Sequence, residues 1–600
     1  MAFISMIAWA KGHPMGSEVN QVTESVTSVE QDAQSFLYKT EDYLSKLNHF
    51  VARTRWVHGN FITYDTSALV AEAEGQRRAA VVRLAHEASQ FNNIPLSQDT
   101  LRKLDKLKLS LTLPTPIDED KNQQLSKVTT ALGDLYGQGK YCRDNDSCLS
   151  LTEINRIMSS SQDYEELLDL WTGWHDIAKP MKPLYEQEVL LANQGARELG
   201  YNDTGAMWRS KYDMPPEEFT RELEQLWLQV KPFYQSLHCH VRAKLSKWYG
   251  DDKVALDKPI PAHLLGNMWA QSWINVYPIV APESSHRFDL TELLKKEGYD
   301  ELKMVRAAEN FFTSIGFSPL PDTFYERSLF TKPRDRDVHC HASAWSLDGQ
   351  DDIRIKMCIQ KTGKGFHVIH HELGHNFYHR AYREQPFLYQ QGANDGFHEA
   401  IGDTITLSVT PGYLHEIGLL EALPAESEDI GFLMKMALDK VAFLPFGLLV
   451  DQWRWKVFSG EITSDNYNQA WWSLREEYQG VRAPVHRNEG DFDPGAKYHV
   501  PKNTPYVRYF LAHIMQFEFH RTLCEKAGSR VALHRCSIYK SKEAGRHFNN
   551  MLEMGASRPW QEIYADFTGK EVFDASAMLE YFAPLQAYLD EQNQGLSCGW

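Results

Sequence analysis

The chain of 600 residues is long enough to bury a large core, either as one big enzyme or as several domains. Its formal net charge is −17, from 63 basic and 80 acidic residues, which argues against nucleic acid as a partner and provides no polybasic patch for a membrane surface. The sequence has no run of about 18 apolar residues, which a transmembrane helix needs, so we expect no membrane anchor.

The first ten residues form a short apolar run that ends in an Ala-x-Ala-like site from Ala8 to Ala10. The run lacks the basic start of a full signal peptide, so residues 1–10 are interpreted as a signal-peptide remnant, with a disordered start as the alternative. Asn145 and Asn202 each begin an Asn-x-Ser/Thr triplet, the acceptor for N-glycosylation. These features predict a secreted glycoprotein.

Six of the eight cysteines form closely spaced couples, and disulfides that close such short loops are each worth on the order of 2–4 kcal/mol. The couples are Cys142 with Cys148, Cys340 with Cys358, and Cys524 with Cys536. Cys239 and Cys598 are left over, and the sequence does not decide whether they pair. Paired cysteines also favour an oxidising, extracellular compartment.

Apolar residues recur at helical spacing along most of the chain, and strand-type alternation is scarce. Helices are predicted at 32–56, 65–92, 96–112, 121–136, 150–160, 162–199, 216–249, 430–458, 464–480 and 505–527. The proline-containing stretch 113–116 is a break. No repeat, linker or strong domain boundary is visible, so we expect residues 11–600 to form one large, mainly helical domain.

One region reads as strand. Residues 337–345 and 352–358 resemble two short strands joined by a turn at Gly349, and a Cys340–Cys358 bridge would staple them. They immediately precede the most distinctive helix, so their edge could bind a peptide by main-chain hydrogen bonds. The alternative is a hairpin with a purely structural role.

The most distinctive motif is His-Glu-x-x-His at 371–375. His371 and His375 are one helical turn apart on one face, so both can reach one zinc ion. Glu372 is rotated by roughly 100° around the helix, which puts a general base beside a polarised water, as peptide hydrolysis requires. The alternative is a histidine-rich helix without metal, because His367, His370 and His379 are also present.

A second helix downstream supplies further acidic groups. Glu399 and Asp403 are four residues apart and share a face. Glu399 would complete a His2Glu site, and Asp403 would accept a proton from the far nitrogen of a ligand histidine. Asn394 or Asp395 is predicted to cap this helix. The alternative for Glu399 is a solvated helix carboxylate.

Six stretches together resemble the angiotensin-converting enzyme family, the zinc peptidyl-dipeptidases. They are 266–271 (GNMWAQ), 340–345 (CHASAW), 371–375 (HELGH), 396–403 (GFHEAIGD), 451–455 (DQWRW) and 506–509 (YVRY). The resemblance runs from about residue 30 to the C-terminus and is closest to single-domain, soluble invertebrate members. It implies an almost wholly helical ellipsoid of two lobes around a deep, lidded central cleft, with a small β hairpin beside the zinc site.

The resemblance also implies a mechanism. His371, His375 and Glu399 would hold zinc, Glu372 would take a proton from the attacking water and pass it to the leaving amine, and Asp403 would orient His371. The remaining residues of the reaction centre follow from the same comparison. Tyr509 and His499 would stabilise the oxyanion, while His341 and the backbone of Ala342 would align the peptide.

A carboxylate clamp is implied two residues beyond the scissile bond. Gln271, Lys497 and Tyr506 would hold the C-terminal carboxylate of the substrate, and Phe443 and Phe446 would line the terminal pocket. The family's carboxypeptidase homologue has an arginine at the position of Gln271, which moves the anchor inward. Glutamine here therefore implies release of a dipeptide.

Chloride activation is a further family trait that the resemblance implies. Tyr212 and Arg508 match the second chloride site. Trp471 and Arg475 match part of the first site, but His175 stands where some family members have an arginine, so the occupancy of this site is left open. Two positions depart from the family pattern. Asp395 replaces a usual proline, and His513 stands where a phenylalanine is usual in the terminal pocket.

The expected function is therefore an active, chloride-activated zinc dipeptidyl carboxypeptidase, secreted and monomeric. Its substrates would be small peptides, such as angiotensin- or bradykinin-like hormones. A monocarboxypeptidase is opposed by Gln271. A catalytically silent binding or receptor protein on the same scaffold is opposed by the full set of ligands and by Glu372.

Overall fold

A computed structural model describes residues 16–144, 147–282 and 288–600. The predicted signal remnant at 1–10 and the sequon at Asn145 lie outside the described residues. The described chain is mainly helical with three small two-stranded sheets, which confirms the predicted fold class.

The N-terminal part of the chain is built from nine helices between residues 16 and 249. They are α1 (Gly16–Asn60), α2 (Tyr64–Ala88), α3 (Gln98–Leu109), α4 (Glu119–Gly137), α5 (Leu151–Met158), α6 (Tyr164–Asp176), α7 (Lys182–Glu198), α8 (Thr204–Ser210) and α9 (Pro216–Tyr249). The bounds of α9 are those predicted. The single helix predicted at 162–199 is wrong, because Pro180 and Pro183 lack the N–H that would continue the ladder and the chain divides there into α6 and α7.

The rest of the described chain adds fourteen helices. They are α10 (Tyr277–Val280), α11 (Leu290–Lys296), α12 (Glu301–Ile315), α13 (Asp322–Arg327), α14 (Gly363–Ala381), α15 (Phe397–Leu407), α16 (Pro411–Glu416), α17 (Asp429–Ser459), α18 (Tyr467–Leu474), α19 (Val507–Lys526), α20 (Lys542–Glu553), α21 (Trp560–Thr568), α22 (Ser576–Tyr581) and α23 (Ala583–Gln592). α17 is buried on nearly all sides over its second half and packs against α9 and α19. A helix that is apolar all round belongs in a core.

The strands form three pairs. β1 (Lys140–Asp144) and β2 (Ser147–Ser150) are antiparallel, β3 (Ile260–Pro261) and β6 (Val481–Arg482) are parallel, and β4 (Ser343–Ser346) and β5 (Ile353–Lys356) are antiparallel. The β4–β5 pair is the predicted hairpin, shorter than expected. Gly349 in its turn has φ +67°, a conformation that favours glycine. Asn376 of α14 donates to the carbonyls of Trp345 and Arg354, which fixes the hairpin against α14.

Two apolar clusters fill the interior. The larger contains the buried faces of α9, α12, α14, α15, α17 and α19. The smaller lies under α1, α2 and α3 and reaches Leu388. No helix among the described residues is long and apolar enough to cross a bilayer.

Four disulfides are formed among the described residues. The three predicted bridges, Cys142–Cys148, Cys340–Cys358 and Cys524–Cys536, are all formed. The two cysteines that the sequence left over also pair, as Cys239–Cys598.

The Cys239–Cys598 bridge secures the C-terminal segment to α9. Arg242 of α9 donates to the carbonyls of Ser597 and Gly599, and the Trp600 ring lies 4.7 Å from that of His238. The segment is therefore held to α9 by a disulfide, by hydrogen bonds from Arg242 and by ring contacts of Trp600 with Tyr234 and His238.

We expect removal of the Cys239–Cys598 bridge by paired serine substitutions to lower the free energy of unfolding by about 5 to 6 kcal/mol. The loop that the bridge closes is long, with a sequence separation of 359. Removing the bridge therefore increases the entropy of the unfolded chain more than removing a bridge that closes a short loop. The matched control is C142S with C148S, whose separation is 6, for which we expect about 2 kcal/mol. Thermal unfolding by calorimetry compares them, and a larger loss for the short loop would contradict the argument.

Candidate functional site

The site is built where α14 and α15 cross at two glycines. A Cβ on Gly374 of α14 would come within 2.9 Å of the Gly402 Cα, and a Cβ on Gly402 would come within 2.8 Å of His371 Nδ1. No larger side chain fits at either position without displacing backbone or a ring. This close approach lets a ligand pair on α14 face acidic groups on α15.

Three potential metal ligands converge at this crossing. His371, His375 and Glu399 each offer one atom, and these atoms lie within 4.8 Å of one another. The Nε2 atoms of the two histidines are 3.0 Å apart, and His371 Nε2 is 3.6 Å from Glu399 Oε2. Two imidazoles and one carboxylate form the donor set of a catalytic zinc site with an open position.

Of the other histidines on α14, His370 points away from this cluster. Its ring is buried, with Nδ1 2.8 Å from the Phe366 carbonyl and Nε2 3.1 Å from the Tyr413 hydroxyl. The histidine-rich sequence of α14 therefore divides into a metal-facing pair and at least one core residue.

Asp403 orients the first ligand. Its Oδ1 is 3.1 Å from His371 Nδ1, and its Oδ2 accepts a 2.5 Å hydrogen bond from Lys440 Nζ of α17. Burial acts to raise the pKa of Asp403, but Lys440 and His371 outweigh it and hold the pKa well below its usual range. The carboxylate therefore stays ionised and fixes the ring that presents Nε2 to a metal.

The electrostatics of the cluster favour a positive charge between the ligands. Burial acts to lower the pKa of both histidines; for His375 the charge of His371 acts in the same direction, and the pKa falls to about 3. For His371 the hydrogen bonds and charges of Asp403 and Glu399 exceed the effect of burial and raise its pKa to about 10. A divalent cation supplies the charge that these carboxylates stabilise, so the donor set fits a metal ion.

Glu372 lies against the β4–β5 hairpin at Ala344 and also interacts electrostatically with His371 and Glu399. Burial raises the pKa of its carboxyl, with a smaller opposing contribution from His371 and from the backbone N–H of Ala344, to which it is hydrogen-bonded. Its charge also interacts with that of His341. His341 is exposed, and its Nδ1 is 2.8 Å from the Ala342 carbonyl. The predicted base and the predicted peptide-aligning residues therefore border one space.

His499, Tyr506 and Tyr509 form an aromatic cluster. The ring of His499 lies 4.6 Å from that of Tyr506 and 5.8 Å from that of Tyr509. Burial, followed by the charge of Lys497, lowers the pKa of His499 to about 2, so the ring is neutral. Burial raises the pKa of Tyr509, the charge of Arg508 opposes this, and the charge of Glu399 adds to the increase, so the tyrosine interacts electrostatically with one of the metal-ligand residues.

A buried ion pair on α17 holds this cluster in place. Asp451 pairs with Arg454, and its Oδ2 also accepts the backbone N–H groups of Tyr506 and Val507 at 2.7 and 2.8 Å. Arg454 in turn donates to the His499 carbonyl at 2.8 Å. The carboxylate thus caps the start of α19, while the guanidinium fixes the preceding loop.

Gln271, Lys497 and Tyr506 meet at one point. Gln271 Oε1 accepts from Lys497 Nζ at 2.6 Å and from the Tyr506 hydroxyl at 3.0 Å. Lys497 is buried, its Nζ lies 4.1 Å above the Trp269 ring, and burial with the charge of Arg475 lowers its pKa to about 7. No carboxylate within the described ranges forms an ion pair with Lys497, so the cluster offers a positive charge and a hydroxyl for an anionic ligand.

The predicted pocket residues lie beside this clamp. Phe443 stacks on His513 with 4.5 Å between ring centroids and lies 5.8 Å from the Tyr506 ring. Phe446 has no exposed surface and packs on Tyr506 at 5.7 Å. Phe446 is therefore a buried residue that packs against Tyr506. Phe443 and His513 together lie beside the cluster of Gln271, Lys497 and Tyr506.

Arg508 faces Asp395 at the predicted second chloride site. Arg508 Nη2 is 3.8 Å from Asp395 Oδ2, and the Tyr212 hydroxyl is buried without a hydrogen-bond partner in the described structure. The expectation that Asn394 or Asp395 caps α15 is wrong. Asn394 instead accepts from the Gly396 N–H at 2.8 Å, and no side chain caps the helix start, because Asp395 is directed toward Arg508.

At the first predicted chloride site the histidine is neutral. His175 stacks on Trp171 at 3.8 Å, and burial lowers its pKa to about 4. Arg475 lies over the Trp471 ring at 5.9 Å and donates to the Trp269 carbonyl at 2.9 Å. Asn202 is exposed on the turn before α8, and its glycosylation stays a prediction.

Sequence reasoning missed the roles of five residues at this site: Lys440, Asp451, Arg454, Gly374 and Gly402. Lys440 contacts Asp403, and the Asp451–Arg454 pair contacts the backbone of Tyr506 and His499. These partners are distant in the sequence, so no local pattern predicts them. Gly374 and Gly402 left a signal, because glycine inside a helix is unfavourable and often marks a close approach.

Sequence comparisons with known proteins identify one enzyme family. The sequence model of the peptidase M2 family, angiotensin-converting enzyme, matches residues 27–600. Angiotensin-converting enzyme from Bos taurus is 43% identical over 586 residues, covering 96% of this chain and 44% of the bovine protein. That of the leech Theromyzon tessulatum is 40% identical over 581 residues, covering 95% of this chain and 94% of the leech protein. The chain therefore spans less than half of the bovine relative and nearly all of the leech one.

We expect Gly402→Ala to weaken zinc binding by about 10- to 100-fold, because the new methyl group would push the His371 ring off Asp403. The matched control is Gly75→Ala in α2, where an added Cβ meets no atom within 4 Å. Competition with a chelator of known affinity measures the zinc dissociation constant of each variant. Wild-type affinity in Gly402→Ala would mean that the two helices can separate without moving the ligands.

Proposed function

Because the chain belongs to the angiotensin-converting enzyme family, we propose that it is a zinc peptidyl-dipeptidase that releases dipeptides from the C-termini of small peptides. One observation carries the proposal. A His2Glu donor set flanked by a carboxylate base stands in the same molecule as a buried lysine that has no acidic partner among the described residues. The first feature suits hydrolysis, and the second suits a substrate that ends in a free carboxylate.

His371, His375 and Glu399 would hold the zinc, with Asp403 and Lys440 keeping His371 in the required tautomer. When bound, the metal supplies a Lewis acid that polarises water and the scissile carbonyl.

Glu372 carries the proton. Its carboxylate accepts a proton from the attacking water and then donates it to the leaving amine, a role that its partly desolvated position beside Ala344 favours. His341 and the Ala342 backbone align the peptide along the edge of β4. The Tyr509 hydroxyl and neutral His499 donate hydrogen bonds to the oxyanion of the tetrahedral intermediate.

The clamp determines the cleavage position. The substrate carboxylate accepts from Lys497 Nζ and the Tyr506 hydroxyl, with Gln271 holding both in place. A glutamine rather than an arginine at 271 leaves the anchor two residues from the scissile bond, which argues for dipeptide release over removal of one residue. A silent binding protein on this scaffold would not need Glu372 and the ligands together.

We also propose that residues 11–600 form one catalytic domain, that the protein is a secreted monomer, and that its substrates include peptide hormones of the angiotensin or bradykinin kind. Four disulfides within the described chain support an extracellular location. Chloride activation through Tyr212 and Arg508 stays a prediction of the family resemblance. The Arg508 guanidinium also lies 3.8 Å from the Asp395 carboxylate.

The zinc-loaded protein is expected to release a C-terminal dipeptide from an N-blocked tripeptide and from a longer peptide, as detected by mass spectrometry. Chelation should abolish cleavage and zinc should restore it. Glu372→Gln should lower kcat by about 10²- to 10⁴-fold while zinc content is unchanged, because only the proton carrier is lost.

Glu384→Gln is the matched control, since this exposed carboxylate lies on a short turn after α14 and is expected to leave kcat unchanged. Release of a single residue would refute the clamp argument at Gln271. No cleavage by zinc-loaded wild-type protein would refute the peptidase proposal and favour the binding scaffold.

The charge of Lys497 predicts a pH dependence. The lysine is protonated below its pKa of about 7 and neutral above it, so kcat/KM for a free-carboxylate peptide should fall as the pH rises past 7. A C-terminally amidated peptide should lack this decrease relative to the free acid. Lys497→Met should remove the difference and raise KM for the free acid by about 10- to 100-fold. An unchanged ratio of the two substrates across pH would contradict the role of Lys497.

A further inference from the structure

We propose that Gln479 is a positioning residue for the carboxylate clamp. Its side chain holds the backbone of Ala270 in a left-handed conformation, and that conformation directs the next residue, Gln271, toward its two partners in the clamp. The proposal rests on the peptidase function proposed above. Gln479 acts through Ala270 rather than by touching the substrate.

Ala270 has a backbone conformation that alanine rarely adopts. Its φ is +52°, and the residue has no exposed surface. Five described residues other than glycine have a positive φ, and Ala270 is the only one of them without a polar side chain that could compensate by a local hydrogen bond. Such a conformation is unfavourable and persists only where the surrounding contacts determine it, which occurs most often at functional sites.

Three hydrogen bonds within the described chain determine the backbone of Ala270. Its N–H donates to the Asn267 carbonyl at 3.0 Å, and its carbonyl accepts from Trp273 Nε1 at 3.0 Å and from Gln479 Nε2 at 3.1 Å. The first two bonds are made within one turn of the chain. Gln479 is 209 positions away in the sequence, so its bond is the one that connects this turn to another part of the chain.

Gln479 uses only one end of its amide. The residue is the last of the π-helical turn Arg475–Gln479 and has no exposed surface. Its Nε2 donates to Ala270, whereas its Oε1 is buried without a hydrogen-bond partner in the described structure. Leaving a buried amide oxygen unpaired is unfavourable, so an apolar side chain of similar length would suit the fold equally well. The bond to Ala270 is therefore what this position gains from a glutamine.

Two residues of α9 hold the turn that carries Gln479. The Tyr234 hydroxyl donates to the Gln479 carbonyl at 2.7 Å, and His238 Nε2 donates to the Gly480 carbonyl at 2.9 Å. The Gly480 carbonyl also accepts the Ile260 N–H of β3 at 2.8 Å. Tyr234 and His238 have no exposed surface. These contacts fix the main chain from which the Gln479 amide reaches Ala270.

The ring of Trp600 packs on the same turn. Gly480 has φ +60°, and a Cβ added there would come within 2.4 Å of the Trp600 ring and 2.7 Å of His238 Nε2. The Trp600 ring also lies 4.7 Å from that of His238. The segment that the Cys239–Cys598 bridge secures to α9 therefore supports this turn as well.

The consequence of this support appears at Gln271. Its Oε1 accepts from Lys497 Nζ at 2.6 Å and from the Tyr506 hydroxyl at 3.0 Å. If Ala270 relaxed to a negative φ, the main chain of Gln271 would rotate and carry Oε1 away from both donors. The potential metal ligands lie on α14 and α15 and would stay in place. Loss of the bond from Gln479 should therefore weaken binding of a substrate carboxylate without affecting zinc.

Gln479→Met tests the proposal, because methionine has a similar length and no hydrogen-bond donor. For an N-blocked tripeptide with a free C-terminal carboxylate, KM should rise by about tenfold, while kcat should change by less than about twofold. KM for the same tripeptide with a C-terminal amide should be unchanged. Zinc content and the melting temperature should not fall, since the substitution also removes the unpaired oxygen.

Gln516→Met is the matched control. Gln516 is also fully buried with an unpaired Oε1, but its Nε2 donates at 3.4 Å to the Ala512 carbonyl of its own helix, α19. The KM of this control for the free acid should equal that of the wild type. A wild-type KM for the free acid in Gln479→Met would overturn the proposal. So would an equal loss for the free acid and the amide, because it would indicate a general disturbance of the fold.

Ala270→Gly supplies a rescue. Glycine adopts a positive φ at no steric cost, so adding Ala270→Gly to Gln479→Met should return the KM for the free acid to within about threefold of the wild-type value. A double variant that binds the free acid as weakly as Gln479→Met would overturn the role assigned to the Ala270 backbone.

Crystallography gives a readout that does not depend on activity. Gln479→Met should show Ala270 with a negative φ and Gln271 Oε1 beyond hydrogen-bonding distance of Lys497 Nζ. A positive φ at Ala270 in that variant would overturn the proposal. If the variant failed to fold, a wild-type crystal structure without the bond from Gln479 Nε2 to Ala270 would still overturn it. If zinc-loaded protein cleaved no peptide, the proposed function would fail, while the crystal structures would still decide the role of Gln479.

Discussion

The contact between Gly374 and Gly402 is the constraint on which the rest of the site depends. Two helices can bring a histidine pair and a carboxylate within 4.8 Å of one another only if their backbones approach closely. Glycine permits that approach at the expense of helix propensity, on the order of 1 kcal/mol at each position. Burial in the large core and the hairpin tied to α14 through Asn376 offset this loss. The fold therefore tolerates a local loss of helix stability at the point where the potential metal ligands must come close together.

Buried charged groups near the crossing of α14 and α15 hold the residues of the site in position. Two buried ions near the site have charged partners that also determine a geometry. Lys440 holds Asp403, which orients His371, and Arg454 holds Asp451, which caps α19. Lys497 differs, because within the described ranges its ammonium contacts the Gln271 Oε1 atom and aromatic faces but no carboxylate. A buried cation without a carboxylate partner is unfavourable in the free protein, and this unmet charge is what a C-terminal carboxylate would satisfy.

The sequence by itself determined the features that depend on neighbours within a few residues. Helical spacing predicted the helical body, the His-Glu-x-x-His motif put His371 and His375 on one face, and short separations predicted three disulfides. Where proline interrupted the ladder at 180 and 183, the same local reasoning could have divided α6 from α7. Tertiary structure alone decided the Cys239–Cys598 bridge, the partners Lys440 and Asp451, and the direction of Asp395. These contacts join positions that are distant in the chain, and packing of the whole core, rather than any local periodicity, brings them together.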